Sequence, residues 1–173
     1  MTIPNILTLI RIALIPVTAY MFYIDNIMAA VVIFIIACLT DIADGFIARR
    51  FNMVTDLGKV LDPLADKGMQ ITVLFSMAAR SFIPWAVVIV IICKELIQLA
   101  GGAHLYSSNV IISANWYGKV STVVTSVSVV VILLFYKILN PVLLIVMQWL
   151  PVVFAGIALL GYLRVFLKLK KDN

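Results

Sequence analysis

The sequence predicts an all-α fold, an integral membrane bundle of six transmembrane helices that forms a single domain over residues 1–173. Two observations support it. Of the 173 residues, 64% are hydrophobic and only 12% are charged, unlike the composition of a soluble domain. The apolar residues also form runs near the length of about 20 residues that crosses a bilayer as a helix. A lipid bilayer is therefore the first expected partner.

Polar residues, proline and glycine separate the six apolar runs. The expected spans are residues 3–23, 27–48, 64–79, 83–105, 120–136 and 142–165. Helices are favoured over barrel strands because each helix satisfies its own backbone amides in hydrocarbon, and because the runs do not alternate. Thr2 and Pro4 suit the start of the first helix, on which Asn5, Thr8 and Arg11 share one side. Because Arg11 interrupts this span and no small-residue cleavage site follows, we expect it to stay in the mature protein.

Basic residues divide unequally between the two ends of the predicted spans. One side has nine of them: Arg49, Arg50, Lys59, Lys67, Lys119, Arg164, Lys168, Lys170 and Lys171. The other side has only Arg80 and Lys137. Because cytoplasmic loops carry the excess of Lys and Arg, we expect a multi-pass protein of the cell membrane with both termini in the cytoplasm. The net charge of +5 thus belongs to the membrane edge and indicates no nucleic-acid partner.

Five of the eight acidic residues fall within one short stretch: Asp41, Asp44, Asp56, Asp62 and Asp66. Asp41 and Asp44, at the cytoplasmic end of the second span, share one helix face, and Asp62 and Asp66, at the start of the third, share another. Two antiparallel helices joined by a short loop would bring these four carboxylates into one cavity. Carboxylates in a poorly solvated site need compensating cations, and oxygen ligands without Cys or His select Mg²⁺, Mn²⁺ or Ca²⁺. We therefore predict a site for two divalent cations.

Small residues and an arginine lie between the two pairs of aspartates. Gly45, Ala48 and Gly58 leave the backbone open to a bulky ligand, and Arg49 offers a planar pair of donors suited to phosphate. Cations bridging phosphoryl oxygens neutralise the charge of the transferred group and of its leaving group. Together these residues indicate a pyrophosphate site.

In chain order these residues read Asp41-x-x-Asp44-Gly45-x-x-Ala48-Arg49, eight residues, Gly58, three residues, Asp62, three residues and Asp66. This pattern resembles the complete motif of the CDP-alcohol phosphotransferase family, with every defined position filled. The resemblance covers essentially the whole chain and implies a homodimer with its active site on the cytoplasmic face. It also implies two divalent cations, Mg²⁺ or alternatively Mn²⁺, bound by the four motif aspartates.

The reaction implied by the resemblance is a phosphatidyl transfer from CDP-diacylglycerol. An alcohol would attack the lipid-side phosphorus, CMP would leave, and Asp66 would act as the catalytic general base. The residues implied in nucleotide binding are Asp41, Asp44, Gly45, Ala48, Arg49, Gly58 and Asp62.

Two segments, residues 3–11 and 62–67, resemble the glycerol branch of the family, whose acceptors are glycerol 3-phosphate or, in the CMP-forming cardiolipin synthases, phosphatidylglycerol. Lys94, Lys119 and Arg11 are the candidate acceptor-binding residues. An intramembrane lysine is costly and usually functional, and the less favoured alternative is a Lys94 and Glu95 pair that only neutralises itself. Gly102 stands where related synthases place a second arginine. The Gly101-Gly102 step would make room for a bulkier lipid acceptor, and close helix packing by small residues explains it equally well. We favour glycerol 3-phosphate and keep phosphatidylglycerol as the alternative.

Two other classes of protein compete with this interpretation. Acidic residues in membrane helices also line ion pathways, so a small cation transporter is the rival. The motif aspartates, however, lie at one membrane boundary, and no inverted repeat is visible in the sequence. A membrane scaffold would need no carboxylate cluster. Cys38 and Cys93 are expected to be inert packing residues.

Overall fold

A computed structural model describes residues 3–51, 56–107 and 116–172 of the chain. The description leaves out the side chains of residues 3–4, 48–49, 56–57, 59–60, 100–107 and 165–172. Six helices and no strand make up these described residues. The helices are α1 (Ile3–Tyr23), α2 (Ile27–Arg50), α3 (Asp56–Ala79), α4 (Trp85–Ser107), α5 (Trp116–Phe135) and α6 (Pro141–Asp172). The predicted all-α fold is confirmed.

Within the described residues, four segments are long and apolar enough to cross a membrane: Asn5–Tyr23, Ile27–Ile47, Trp116–Phe135 and Pro141–Arg164. Many large apolar side chains on these helices are exposed, among them Ile10, Ile36 and Val123, as expected of a surface that contacts lipid. Helix α3 differs because Asp62, Asp66 and Lys67 lie within it. The chain is thus a membrane protein, and the count of six spans stays a prediction.

Two helices extend furthest beyond their predicted apolar spans. Helix α3 begins at Asp56, before the predicted edge at residue 64, and α6 continues to Asp172, past the predicted edge at residue 165. Hydrophobicity locates only the part of a helix that lies in hydrocarbon, whereas backbone hydrogen bonding continues into polar sequence. Asp62 and Asp66 therefore lie inside α3, after its first turn, and not at its start.

The chain divides into two compact units, Met1–Ser81 and Phe82–Asn173. In the first unit, α1 packs along both α2 and α3, which contact each other less extensively. The face of α1 that is buried by this packing is largely polar. It carries, at helical spacing, Asn5, Thr8, Arg11, Thr18 and Phe22.

Arg80, just after the end of α3, joins the ends of α1 and α3 in the first unit. Its guanidinium donates to the backbone oxygens of Phe22 and Tyr23 and pairs with the carboxylate of Asp25. Asp25 follows α1 with a φ of 62°, in the left-handed region. Arginine at a helix C-terminus satisfies carbonyl oxygens that lack helical partners. This contact fixes the end of the unit away from the motif aspartates.

Gly68 marks a close approach of α1 and α3. A Cβ atom at this position would lie 2.9 Å from Ile15 Cδ1, closer than ordinary van der Waals contact. Glycine therefore allows α3 to pack against α1 two residues after Asp66.

In the second unit, α6 packs against both α4 and α5. The buried face of α5 is polar as far as Ser128 and apolar after it, with Ser121, Thr125, Ser128, Val129, Ile132 and Leu133. The side-chain amide of Gln148 donates to the Phe82 oxygen at 2.7 Å, and the rings of Phe82 and Tyr136 meet edge to face with centroids 4.8 Å apart. The single-domain assignment for residues 1–173 stays a prediction.

Candidate active site

All four motif aspartates belong to the first unit. Asp41 and Asp44 lie one turn apart near the end of α2, and Asp62 and Asp66 lie one turn apart in α3. Asp44 is buried, whereas Asp41, Asp62 and Asp66 are half-buried. The helical spacing that the sequence predicts for each pair is thus present.

Arg11 of α1 joins the two aspartates of α2. Its Nη1 lies 2.5 Å from Asp41 Oδ1, and its Nη2 pairs with Asp44 Oδ2. The Arg11 side chain is only 2% exposed and that of Asp44 only 4%, so their charges are compensated almost entirely inside the protein. Removing one partner of such a buried pair is strongly destabilising, because the remaining charge is desolvated without compensation.

Thr8, one turn before Arg11, reaches the other motif helix. Its hydroxyl donates to Asp62 Oδ1 of α3, and the threonine is fully buried. Helix α1 therefore contacts carboxylates of both α2 and α3. The sequence placed Thr8 and Arg11 on one side of α1, but it did not assign Thr8 to the site. The sequence feature that could have indicated Thr8 is the helical spacing of the polar residues Asn5, Thr8 and Arg11 within an apolar helix.

The aspartates of the two helices share one electrostatic environment. The charges of Asp66, Asp44 and Asp62 all act on Asp41, and the charge of Asp62 acts on Asp44. Lys67 Nζ lies 3.6 Å from Asp66 Oδ2 and adds a second positive charge beside that of Arg11. Counted over the side chains that the structure describes here, four carboxylates against these two cationic side chains leave an excess of negative charge.

This donor set fits hard divalent cations. Carboxylate oxygens are the ligands that Mg²⁺ and Mn²⁺ prefer, and the excess negative charge provides an electrostatic reason to bind them. Among the described residues, no three acidic, His or Cys side chains stand close enough together to enclose an ion. Arg11 contacts one oxygen each of Asp41 and Asp44, and Thr8 contacts one oxygen of Asp62. Metal ligation by the four aspartates stays a prediction.

The residues predicted to bind nucleotide are only partly within the described part of the chain. Gly45 lies one residue after Asp44 in α2 and is half-buried, and Gly58 is buried in the first turn of α3. The side chains of Ala48 and Arg49 lie outside the described residues. Their contacts with nucleotide stay predictions.

The three candidate acceptor residues lie in different surroundings. Arg11 belongs to the aspartate cluster of the first unit. Lys94 is fully buried in α4 of the second unit, where its Nζ lies 2.5 Å from Glu95 Oε1, while Lys119 is exposed in the first turn of α5. The surroundings of Gly102 lie outside the described residues.

The two cysteines form no disulfide with each other. Cys38 is half-buried and Cys93 is exposed on α4, and both are free thiols. Neither is among the candidate site residues.

Comparison with known proteins identifies the family. The profile described as CDP-alcohol phosphatidyltransferase matches residues 1–159, which include the whole motif. The chain belongs to the CDP-alcohol phosphatidyltransferase family. The family resemblance that the motif indicates is thereby confirmed, and dependence on divalent metal is general in this family.

Several relatives in the CDP-alcohol phosphatidyltransferase family have names that state an activity. A Bacillus subtilis protein named CDP-diacylglycerol–glycerol-3-phosphate 3-phosphatidyltransferase is 35% identical over 147 residues, 76% of each chain. A Rickettsia bellii protein of the same name is 39% identical over 98 residues, 55% of this chain and 54% of its own length. A Schizosaccharomyces pombe protein named cardiolipin synthase (CMP-forming) / mitochondrial hydrolase fusion protein is 36% identical over 104 residues, 60% of this chain and 18% of its own. The chain thus spans about half of the length of the Rickettsia relative and a smaller share of the length of the fission yeast relative.

Proposed function

We propose that this chain transfers the phosphatidyl group of CDP-diacylglycerol to glycerol 3-phosphate, giving phosphatidylglycerophosphate and CMP in phospholipid biosynthesis. The observation that carries the proposal is that α1 contacts motif aspartates of both α2 and α3, through Arg11 and Thr8. The names of the Bacillus and Rickettsia relatives support glycerol 3-phosphate as the acceptor.

The proposed reaction is a single in-line displacement at phosphorus. Asp66 takes the proton of the acceptor hydroxyl as its oxygen forms a bond to the lipid-side phosphorus, and the bond from that phosphorus to the CMP oxygen breaks. Asp41, Asp44, Asp62 and Asp66 would hold two divalent cations, Mg²⁺ or alternatively Mn²⁺. When bound, the cations neutralise charge on the pyrophosphate and on the departing CMP.

Recognition of the nucleotide is proposed for residues around the first pair of aspartates. Gly45, Ala48 and Gly58 leave room for cytidine diphosphate, and the guanidinium of Arg49 binds a phosphate. Asp41, Asp44 and Asp62 complete the set of predicted nucleotide contacts. Lys94, Lys119 and Arg11 are the residues proposed for the anionic acceptor.

A CMP-forming cardiolipin synthase with phosphatidylglycerol as acceptor is the second candidate. Two observations favour it: Gly102 replaces an expected arginine, and the fission yeast relative has that activity in its name. Glycerol 3-phosphate is small and dianionic, so loss of the bidentate donor that an arginine provides weakens its binding more than the binding of a lipid acceptor.

The test is release of CMP from CDP-diacylglycerol by purified protein in detergent with Mg²⁺, with each acceptor in turn. Release with glycerol 3-phosphate alone supports the proposed function, and release with phosphatidylglycerol alone supports the second candidate. Absence of release with both acceptors contradicts both enzymes, and a cation transporter then becomes the better interpretation. Chelation of divalent cations with EDTA is expected to abolish release, and Mg²⁺ in excess is expected to restore it.

The proposed setting is the cell membrane, with both termini and the segment between α2 and α3 in the cytoplasm. The distribution of basic residues supports this orientation. The family resemblance supports a homodimer.

A further inference from the structure

We propose that two residues of α1, Thr8 and Arg11, are positioning residues for the candidate metal ligands. Arg11 holds Asp41 and Asp44 of α2, and Thr8 holds Asp62 of α3. Each contact orients a carboxylate before a cation arrives. The inference rests on the proposed function, since it concerns the same cations.

The way Arg11 divides its donors indicates orientation in addition to charge compensation. A guanidinium that serves only to pair with one carboxylate commonly binds both of its oxygens in parallel. Arg11 instead gives one terminal nitrogen to Asp41 and the other to Asp44. Because the guanidinium is planar and rigid, the two carboxylates are fixed relative to each other.

Thr8 carries no charge, so it stabilises and orients the Asp62 carboxylate through a directed hydrogen bond and not through an ion pair. A buried threonine in a membrane helix often donates to a carbonyl of its own helix, as Thr18 does to the Leu14 oxygen at 2.8 Å. The Thr18 hydroxyl also lies 3.6 Å from Met69 Sδ of α3, which is not a motif residue. Thr8 donates across to α3, and its complete burial keeps the hydroxyl away from solvent. Thr8 and Thr18 therefore form a matched pair for experiments.

The positioning role differs from the acceptor-binding role that the sequence suggests for Arg11. Both terminal nitrogens of Arg11 are used by aspartates, and only its buried Nε has no hydrogen-bond partner in the described part of the chain. An acceptor-binding residue sets the KM for the acceptor. A positioning residue for metal ligands sets the cation affinity, so the two roles give different results.

The experiment measures Mn²⁺ binding to purified protein in detergent, without lipid or nucleotide, from the electron paramagnetic resonance signal of free Mn²⁺. Loss of a residue that orients metal ligands typically weakens metal affinity by about 10- to 100-fold. We expect a weakening in this range for Arg11→Gln and one near its lower end, about 10-fold, for Thr8→Val. In both variants, CMP release should recover at high Mn²⁺ with an unchanged acceptor KM.

Matched controls separate this effect from general damage. Arg80→Gln removes a second arginine that pairs with an aspartate in this unit, and Thr18→Val removes the other buried threonine of α1. Both are expected to bind Mn²⁺ like the wild type. Thr8→Ser keeps the hydroxyl and should restore most of the affinity lost in Thr8→Val.

Unchanged or tighter Mn²⁺ binding by folded Arg11→Gln and Thr8→Val would overturn the inference. A raised acceptor KM with unchanged Mn²⁺ binding would assign Arg11 to the acceptor instead. Should Arg11→Gln fail to fold, Arg11→Lys and Thr8→Val are judged by the same criterion. Wild-type protein that binds Mn²⁺ but releases no CMP would contradict the proposed function, while Mn²⁺ binding by the variants would still decide the positioning role.

Discussion

Asp66 differs from the other motif aspartates in its immediate contacts. Its side chain is 37% exposed and its nearest ionic partner is the neighbouring Lys67, whereas Asp41, Asp44 and Asp62 contact α1. A carboxylate that takes a proton from an incoming substrate has to be reachable from outside the packed helices. This exposure suits Asp66 to the role of general base.

Asp66→Asn is expected to reduce CMP release by about 10²- to 10⁴-fold or more, because the amide can neither accept the acceptor proton nor match a carboxylate as a metal ligand. Binding of CDP-diacylglycerol should remain measurable by isothermal titration calorimetry. The control is Asp25→Asn, since Asp25 pairs with Arg80 at the other end of the same unit. Near-normal turnover by Asp66→Asn would exclude Asp66 as the base.

Lys94 and Glu95 allow a test of buried charge in the second unit. Lys94→Met leaves the buried Glu95 without its nearest counter-charge, which typically costs about 3–5 kcal/mol. We therefore expect a clear fall in the unfolding temperature, measured in detergent, and substantial recovery in the double variant Lys94→Met, Glu95→Met. A double variant with wild-type stability and acceptor KM would show that the pair serves only to neutralise itself, whereas a raised KM would support acceptor binding by Lys94.

At the scale of the helix, α1 shows what the sequence could and could not predict. Helical spacing correctly placed Asp41 with Asp44, and Asp62 with Asp66, on common faces. Spacing within a helix states which residues share a face, but not which helix that face meets. The position of α1 beside both motif helices, and with it the contact between Thr8 and Asp62, depends on tertiary packing.

Gly68→Leu tests whether close packing of α1 and α3 supports the site. A larger side chain there meets Ile15, and overpacking of this kind typically costs about 1–3 kcal/mol. We expect a lower unfolding temperature and weaker Mn²⁺ binding, because α3 would shift relative to Thr8. Gly156→Leu is the control, since a Cβ at Gly156 meets no atom within 4 Å. Equal behaviour of the two variants would contradict this account.

At the scale of the whole molecule, composition predicted the fold class, and apolar runs located all six helices. The beginning of α3 at Asp56 could not be predicted from apolar runs, because the first turns of this helix are polar and hydrophobicity reports only the segment in hydrocarbon. The acceptor residues Lys94 and Lys119 were proposed from family resemblance. One sequence does not specify which distant charges face the same ligand, so their roles depend on experiment.

The predicted topology is testable with single cysteines. In a chain with Cys38 and Cys93 replaced by alanine, Asp56→Cys should resist a membrane-impermeant maleimide applied to intact cells and react after permeabilisation. Lys137→Cys, on the opposite side in the predicted topology, should react in intact cells and serves as the control. Labelling of Asp56→Cys in intact cells would reverse the orientation inferred from the basic residues.

The contact of Arg11 with Asp41 and Asp44 also bears on biogenesis. An aspartate opposes translocon-mediated insertion, by about 2.5–3.5 kcal/mol at the centre of a helix and by less toward its end, where Asp41 and Asp44 lie. Helix α1 precedes α2 along the chain, so the counterion leaves the ribosome before the two acids that need it. When α2 enters the bilayer, α1 can therefore already supply the Arg11 guanidinium that pairs with Asp41 and Asp44.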